Sequence, residues 1–472
     1  MRRTKAQYPL NFKTLFGVTT MGFLQTVANS LMTAMLMLYV TDYSGLYTGI
    51  AGKAAQIATV LLLVGRLWDT FNDPLFGYLM DRSPRTRWGK FKPFMFGGTL
   101  AATVLIILLF NIPSGLGDMQ KVVWLYVVYI VFEIAFSLMP MQPLTISLSD
   151  DEQVRTKLLI YPRIGNMLIA IPVSFFLAIA TMLGHGGTPN IGLAVLLFCL
   201  PVGIVSLLGI VAIKEGRADA QEEKVVLRDI LRMYGANKPL LISLLSGLFG
   251  GFIFNFLMAA ITYYIKYAFG AENLGTQSAV WGGVMLLGIL AGTFLAQAVQ
   301  KRATPGQCSI IATSIGIVPL AVLWLISLAG PIHNAVVLYS LLFLSVIGTG
   351  MGYIPGSLIG MECMDYNKYK MGKSMEGLVS TTGTFVMKLQ SAISSTVTGA
   401  VLIAVGYDAQ RYQNASSIPD SLFNGLGIVL FALPVLFGLL SIAAMWFYPL
   451  RTKARRDEMY AQLYGARNNE QN

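Results

Sequence analysis

Residues 190–213 read NIGLAVLLFCLPVGIVSLLGIVAI, and residues 214–238 read KEGRADAQEEKVVLRDILRMYGANK. The first stretch has no charged side chain and is long enough to cross a bilayer as a helix, which takes about 20 residues. The second is the longest polar interruption of the chain and lies near its middle. A further apolar stretch, 240–268, follows directly. This order predicts two membrane-embedded halves joined by a charged linker.

Apolar stretches of this kind recur along almost the whole chain, which is 55% hydrophobic and only 12% charged. A soluble domain typically has about 25% charged residues. In lipid, each backbone polar group must be satisfied within its own element, so long apolar stretches predict helices. Twelve spans are expected, at 14–40, 54–80, 93–113, 121–144, 160–184, 190–213, 240–268, 276–300, 308–330, 334–361, 374–405 and 421–448.

Six spans, a charged linker and six more spans are the layout of a major-facilitator transporter. The predicted fold class is an all-α polytopic membrane protein with twelve transmembrane helices in two six-helix bundles. Its predicted parts are an N-terminal, cation-coupling bundle, a cytoplasmic linker, a C-terminal bundle and a cytoplasmic tail, at 1–213, 214–238, 239–450 and 451–472.

The net charge of +11 is distributed unevenly. With both termini in the cytoplasm, the tails and the even-numbered loops hold most of the 34 Lys and Arg residues. This asymmetry matches the positive-inside rule, so the basic loops are interpreted as topology signals and not as a nucleic-acid surface. The three cysteines are isolated and give neither a disulfide framework nor a metal spacing. We expect a multi-pass membrane protein with both termini in the cytoplasm.

The second predicted span is interrupted by ionisable residues, each of which costs about 2.5–3.5 kcal/mol at the bilayer centre. Asp69 and Asp73 are four residues apart and share a helix face, and Asn72 lies three residues after Asp69. Carboxylate and amide oxygens are hard ligands that suit Na⁺, whereas two close carboxyl groups can share a proton. The pattern predicts a Na⁺ or H⁺ site at these three residues. Pairing with Arg66, which would only pin the helix to its neighbours, stays open.

The loop after this span begins with Gly77-Tyr-Leu-Met-Asp81-Arg82. Its G-x-x-x-D-R pattern resembles the loop signature of major facilitators at the same place. An acid at a helix end beside a cluster of arginines can hold two half-bundles together in one conformation. We therefore predict a conformational latch at Gly77, Asp81 and Arg82.

Three other spans also carry ionisable residues in or at the edge of the membrane. Glu133 in span four is either an acid of the solute or proton site or a packing acid, and Ser137 lies one turn later on the same face. Arg163 lies where span five enters the membrane. Lys388 lies near the middle of span eleven, where a lysine either pairs with an acid, such as those of span two, or snorkels to the interface.

Span one offers only neutral polar groups, at Gln25, Thr26 and Asn29. Gln25 and Asn29 share a helix face and could bind a solute hydroxyl or bridge two helices. Tyr353 in span ten could stack on a sugar ring or act as a packing aromatic. These four residues join Glu133 among the candidate solute-binding positions.

Several short motifs together resemble the glycoside–pentoside–hexuronide:cation symporters. They are Asn72-Asp73-Pro74, Arg87-Trp88-Gly89-Lys90-Phe91-Lys92-Pro93, Asp365-Tyr366 and Lys388. The similarity is strongest in spans two, three, ten and eleven. The resemblance implies a major-facilitator symporter of the bacterial inner membrane that carries a sugar with Na⁺ or H⁺.

The resemblance also implies roles for individual residues. The family's cation site uses two aspartates and an asparagine of span two and a hydroxyl of span four, which match Asp69, Asn72, Asp73 and Ser137. The family's arginine of span five and lysine of span eleven match Arg163 and Lys388. Thr384 and Tyr353 fall at positions that face the solute in the family.

Two sugar-binding acids of the family pattern are missing from this chain. The position in span one is Gln25 or Thr26, and span four reads Met-Pro-Met-Gln142-Pro. Gln142 therefore stands among the candidate solute-binding residues. With Arg163 and Lys388 retained, the hypothesis is an anionic solute such as a hexuronide, although Glu133 could replace a lost acid.

Two alternatives remain beside sugar symport. One is a carrier of another amphipathic or anionic solute, such as a lysolipid, and the other is a non-transporting sensor. An enzyme is not expected, because no set of nucleophile, base and orienting group appears within the spans. We expect a monomer in contact with membrane lipid, with a small sugar or glycoside as its partner and with no cofactor beyond the coupling ion.

Overall fold

The computed structural model describes residues 11–46, 53–146, 148, 152–185, 188–215, 235, 237–371, 376–409, 412 and 418–469. Nearly all of these residues are helical. Within the described ranges, extended pairing is limited to two isolated bridges, Thr86–Gly89 and His185–Thr188. The predicted linker, 214–238, falls mostly outside these ranges, so its bounds stay a prediction.

Helical elements follow the twelve predicted spans in chain order. They are α1 (Phe12–Ala34 and Leu36–Tyr43, which meet at 51°), α2 (Ala54–Arg82), α3 (Lys92–Leu109), α4 (Asp118–Ser137), α5 (Glu152–Ser174 and Phe176–Met182), α6 (Ile191–Ala212), α7 (Lys238–Ala268), α8 (Leu274–Gln300), α9 (Pro305–Ser327), α10 (Ala335–Met371), α11 (Glu376–Ala404) and α12 (Asp420–Trp446).

Nine helices of the described ranges are long and apolar enough to cross a membrane. The bent pair of segments in α1 is a tenth candidate. The α2 helix is apolar over Ala54–Gly65 and then carries the charged residues of the predicted ion site. The prediction of an all-helical polytopic membrane protein is confirmed.

Proline accounts for the irregular turn within α12, because it has no N–H and its ring crowds the preceding turn. In α12, Pro434 follows the wider, π-helical turn Ile428–Ala432. The wider turn gives the ring the space that an α-helical turn lacks.

The chain divides into two compact units. Unit 1 comprises Met1–Glu222, Gly270–Ala279 and Gly406–Ser416, and unit 2 comprises Glu223–Phe269, Val280–Val405 and Ser417–Asn472. In unit 1, α3 packs against α4 and α6, α1 packs against α5 and α6, and α2 packs against α4. In unit 2, α7 packs against α11 and α12, and α9 packs against α10 and α12.

Glycine permits the close approach of α9 and α10. A Cβ atom added at Gly348 would lie 2.3 Å from the backbone nitrogen of Gly316, so neither helix could keep its position with a larger residue there. Small residues at helix contacts allow dense packing in lipid, where the hydrophobic effect does not drive helices together.

A further helix, α13 (Lys453–Asn469), forms within the segment that the sequence predicts as a cytoplasmic tail. It docks on the end of α10. Nε of Arg456 lies 2.7 Å from Oε1 of the buried Glu362, and the Tyr460 hydroxyl donates to Oδ2 of Asp365 at 3.0 Å. The Asp365-Tyr366 motif of the resemblance therefore lies in a helix-docking contact of unit 2.

Candidate functional site

The α2 and α4 helices run side by side in the same direction. The Tyr126 hydroxyl donates to the carbonyl of Ile57 at 3.3 Å. One turn further along α4, Tyr129 packs so tightly on Gly65 that a Cβ atom there would lie 2.1 Å from its ring. Asn72 makes the next contact. This register brings the charged part of α2 against the middle of α4.

Asn72 is the best-described residue of the predicted ion site. Its side chain is only 2% exposed. Its amide nitrogen donates to the hydroxyl of Ser137 at 3.0 Å and to the backbone carbonyl of Glu133 at 3.3 Å. Because a backbone carbonyl can only accept, these contacts fix which end of the amide faces α4.

The carbonyl oxygen of Asn72 is buried and receives no hydrogen bond from any residue that the structure describes. A buried acceptor without a donor costs about 1–3 kcal/mol, and most buried polar groups in proteins are therefore paired. An amide oxygen is a hard ligand for a cation such as Na⁺. Because both N–H groups of the amide point to α4, only this oxygen remains for an ion. Asn72 therefore presents one buried amide oxygen of the kind that suits a cation.

The two aspartates of the predicted ion site occupy the expected positions on α2. Asp69 lies one turn before Asn72 in the helix, and Asp73 follows Asn72 directly. The side chains of Asp69, Asp73 and Arg66 lie outside the described residues. In the rest of the chain that the structure describes, no three His, Cys, Asp or Glu side chains could together hold a metal ion.

Asn72 of α2 contacts both Glu133 and Ser137 of α4, the first through its backbone carbonyl and the second through its hydroxyl. Glu133 is only 3% exposed, and its peptide carbonyl is an acceptor for Asn72. The structure therefore brings Glu133 and Ser137 to the same asparagine. Whether Glu133 serves the solute, a proton or packing stays open.

The candidate residues of span one lie on α1 beside α5. The carboxamide oxygen of Gln25 is buried and receives no hydrogen bond from the described residues. Thr26 donates to the carbonyl of Gly22 at 3.3 Å, and Asn29 is exposed. Thr26 therefore uses its hydroxyl hydrogen within its own helix. The side chains of Gln142 and Arg163 lie outside the described residues.

The sequence analysis did not identify Asn166 of α5 as a candidate residue. Its carboxamide oxygen is buried without a donor, and it lies 3.4 Å from the place where a Cβ atom of Gly22 would be. The available signal was an amide three residues after Arg163 in an otherwise apolar span. Asn166 is an additional polar group at the contact between α1 and α5.

The candidate residues of unit 2 lie on α10 and α11. Tyr353 is exposed on α10 and Lys388 is half-buried on α11, while the side chain of Thr384 lies outside the described residues. Gln390, which the sequence analysis did not single out, donates to the carbonyls of Gly247 and Leu248 at 2.6 and 3.2 Å. It therefore ties the part of α11 beside Lys388 to α7.

The predicted latch lies at the end of α2. Arg82 is exposed there, whereas the surroundings of Gly77 and the side chain of Asp81 are outside what the structure describes. The structure instead shows a contact further along the loop, between the start of α3 and the end of α6. The latch stays a prediction.

At this contact, Glu215 after α6 caps the start of α3, and Lys92 of α3 caps the end of α6. The carboxylate of Glu215, just after α6, accepts hydrogen bonds from the backbone N–H groups of Lys90, Phe91 and Lys92. The ammonium group of Lys92 in turn donates to the carbonyls of Val211 and Ile213. An acid at a helix N-terminus and a cation at a helix C-terminus are each favoured by the helix dipole.

The family model for MFS/sugar transport proteins matches residues 16–452. Two curated relatives align over nearly the same length. The isoprimeverose transporter of Lactiplantibacillus pentosus is 26% identical over 92% of this chain and 88% of the relative. The glucuronide carrier protein homolog of Escherichia coli K12 is 25% identical over 94% of each chain.

A solved structure shows the same fold. The xylose transporter XylE from E. coli, in a partially occluded inward-open conformation, superposes with a TM-score of 0.59 at 14% identity. The match covers 92% of this chain and 98% of that one. The helix order, the matched motifs and the family model agree that this chain belongs to the MFS/sugar transport family, among the glycoside–pentoside–hexuronide symporters of the major facilitator superfamily.

Proposed function

We propose that this chain carries one glycoside together with one monovalent cation, Na⁺ or H⁺, by alternating access. The observation that supports the proposal most directly is the buried, undonated carbonyl oxygen of Asn72. Asp69, Asp73 and Ser137 complete the proposed cation site. The Ser137 hydroxyl orients Asn72, and the two aspartates supply the negative charge that a cation offsets.

Coupling follows from the position of this site at the contact between α2 and α4. Without a cation, the acids of α2 carry unbalanced charge in a low-dielectric region, which is costly. Cation binding neutralises that charge. It also adds a contact with the carbonyl oxygen of Asn72, whose hydrogen bonds already connect the two helices. The loaded carrier can then change conformation, whereas the ion-free carrier must pair its acids with a basic group such as Lys388 or Arg163.

The proposed solute is a small glycoside or hexuronide. Relatives named for a neutral glycoside and for a glucuronide support both classes equally. Gln25, Thr26, Asn29, Glu133, Gln142, Arg163, Tyr353, Thr384 and Lys388 are the proposed solute-binding residues. The retained Arg163 and Lys388 favour an anionic solute, because a guanidinium and an ammonium group both bind carboxylates.

Uptake into proteoliposomes tests both parts of the proposal. Isoprimeverose and methyl β-D-glucuronide are offered with an inward Na⁺ gradient, an inward H⁺ gradient or neither. We expect one of the two gradients to drive accumulation, and Asp73→Asn to abolish accumulation. Accumulation by Asp73→Asn against a concentration gradient would show that the cation site is misassigned.

The proposed orientation places both termini in the cytoplasm of a bacterial cell. It is supported by the excess of Lys and Arg in the tails and even-numbered loops. Green fluorescent protein fused to the C-terminus should fluoresce, and alkaline phosphatase fused there should be inactive. The opposite pattern would reverse the orientation. The proposed transporting species is a monomer, which light scattering of the purified protein would test.

A further inference from the structure

The loop before α3 contains a tight turn formed by Thr86, Arg87, Trp88 and Gly89. The backbone N–H of Thr86 donates to the carbonyl of Gly89 at 2.9 Å, and the N–H of Gly89 donates back to Thr86 at 3.1 Å. The Thr86 hydroxyl bonds the same Gly89 carbonyl at 2.8 Å. Arg87 and Trp88 are therefore held at the tip of the turn, and both are exposed.

The turn is fixed in place by the cap on α3. Gly89 has a φ of 120°, a conformation that residues with a side chain rarely adopt. A Cβ atom at Gly89 would lie 2.1 Å from Oε2 of Glu215, so the carboxylate occupies the space that a side chain would need. The Glu215 carboxylate also accepts hydrogen bonds from the next three backbone N–H groups. The tip of the turn therefore has a defined position at the start of α3.

The side chains at the tip have the chemistry of a membrane interface. Trp88 is 55% exposed. Its ring packs edge-on against the ring of Phe96 in α3, with 5.7 Å between the ring centroids. No residue in the described part of the chain hydrogen-bonds to the Arg87 guanidinium. Tryptophan is enriched at the headgroup level of membranes, and arginine can bind a phosphate through two parallel hydrogen bonds.

An apolar stripe continues from the turn along α3. Phe96, Leu100, Val104 and Leu108 recur every four residues on one helix face, and the last three are exposed. The stripe begins beside Trp88 and runs for most of the length of the helix. Phosphate-binding chemistry at the end of such a stripe matches one molecule, a phospholipid with its headgroup at the turn and an acyl chain along α3.

We propose that the turn Thr86–Gly89 is a binding site for the headgroup of an anionic phospholipid. Arg87 binds the phosphate, Trp88 lies beside the glycerol region, and Phe96 and Leu100 contact the first part of an acyl chain. The surrounding loop is basic, with Arg82, Arg85 and Lys90 adding positive charge that attracts an anionic headgroup. The positive-inside rule explains the basic residues of this loop but not its tryptophan at a hydrogen-bonded turn. The other basic loops of the described ranges lack such a tryptophan.

Fluorescence quenching by lipid tests the proposal without any transport assay. The purified protein is reconstituted in phosphatidylcholine vesicles that contain either brominated phosphatidylcholine or brominated phosphatidylglycerol at the same mole fraction. The contribution of Trp88 is obtained by subtraction of the Trp88→Phe variant. We expect brominated phosphatidylglycerol to quench this contribution more strongly than brominated phosphatidylcholine.

Two variants separate a specific site from general charge attraction. Arg87→Ala should remove the preference for phosphatidylglycerol. Arg302→Ala removes the same charge from an exposed position between α8 and α9 and should leave the preference intact. Equal quenching by both lipids in the unaltered protein, no quenching at all, or an equal loss in both variants would overturn the proposal.

Discussion

The hydroxyl of Tyr407 donates to the carboxylate of Asp42 and lies 2.8 Å from Oδ1 and 3.0 Å from Oδ2. Both side chains are buried. Asp42 lies in the last turn of α1, whereas Tyr407 follows α11 and forms part of unit 1. The hydrogen bond therefore joins two parts of unit 1 that are distant in the sequence.

Tyr407→Phe is expected to loosen the segment that contains Tyr407, because it removes the hydroxyl donor and keeps the ring. A hydrogen bond to a charged group contributes about 1.5–3 kcal/mol. We expect a lower melting temperature of the purified protein and faster proteolysis within the segment. A double-mutant cycle with Asp42→Asn provides the control, since additive effects of the two substitutions would mean that the residues do not interact.

Ser137→Ala is expected to weaken cation activation of transport, because Asn72 loses its acceptor at 3.0 Å and keeps only the carbonyl of Glu133. The loss of one hydrogen bond corresponds to about 1 kcal/mol, or about fivefold in the cation concentration for half-maximal uptake. Ser137→Thr keeps the hydroxyl and should stay close to the unaltered protein. Equal behaviour of the alanine and threonine variants would contradict the role assigned to the hydroxyl.

Glu215→Ala should destabilise unit 1, because three backbone N–H groups at the start of α3 lose their acceptor. Loss of a helix cap typically costs about 0.5–2 kcal/mol. The melting temperature of the purified protein measures the effect. Glu272→Gln, at an exposed position before α8, is the matched control and should change little. Similar shifts for both variants would show that the change in charge, and not the cap, is responsible.

Arg456→Ala should release α13 from the end of α10. Glu362 is 1% exposed and would keep only the Tyr448 hydroxyl, at 3.0 Å, as a hydrogen-bond donor. Because Arg456 is itself partly exposed, we expect a modest loss of about 1–2 kcal/mol. Limited proteolysis of α13 reports its release. The pair Glu362→Gln with Arg456→Met avoids an uncompensated acid and should recover much of the stability; protection of α13 in Arg456→Ala would count against the contact.

The sequence predicted those features that follow from local pattern. Apolar length located the helices, and the spacing of Asp69, Asn72 and Asp73 placed the ionisable residues on one stretch of α2. The family resemblance paired Ser137 with Asn72, and the two side chains indeed meet, although their role in ion binding stays a prediction. Periodicity also predicted that Glu133 and Ser137 share a face of α4, whereas their contact with Asn72 of α2 comes from the structure.

Contacts between distant parts of the chain could not be predicted in this way. Glu215 stands 125 residues from Lys90, and Tyr407 stands 365 residues from Asp42. In the sequence, Glu215 is one charged residue of a charged linker, and nothing marks it as a helix cap. The docking of α13 could likewise not be predicted, because a charged tail carries no span signal and its contacts with Glu362 and Asp365 join residues that are distant in the sequence.

The reciprocal caps of α3 and α6 also set a condition for biogenesis. During synthesis, α3 leaves the ribosome more than 100 residues before Glu215 does. Until then its first N–H groups have only water and lipid headgroups as acceptors, and the ammonium group of Lys92 lacks the carbonyls that end α6. This corner of the N-terminal half can therefore close only after the sixth helix has been inserted, so a nascent chain stopped before Glu215 would hold its third helix in the bilayer with an open, hydrated end.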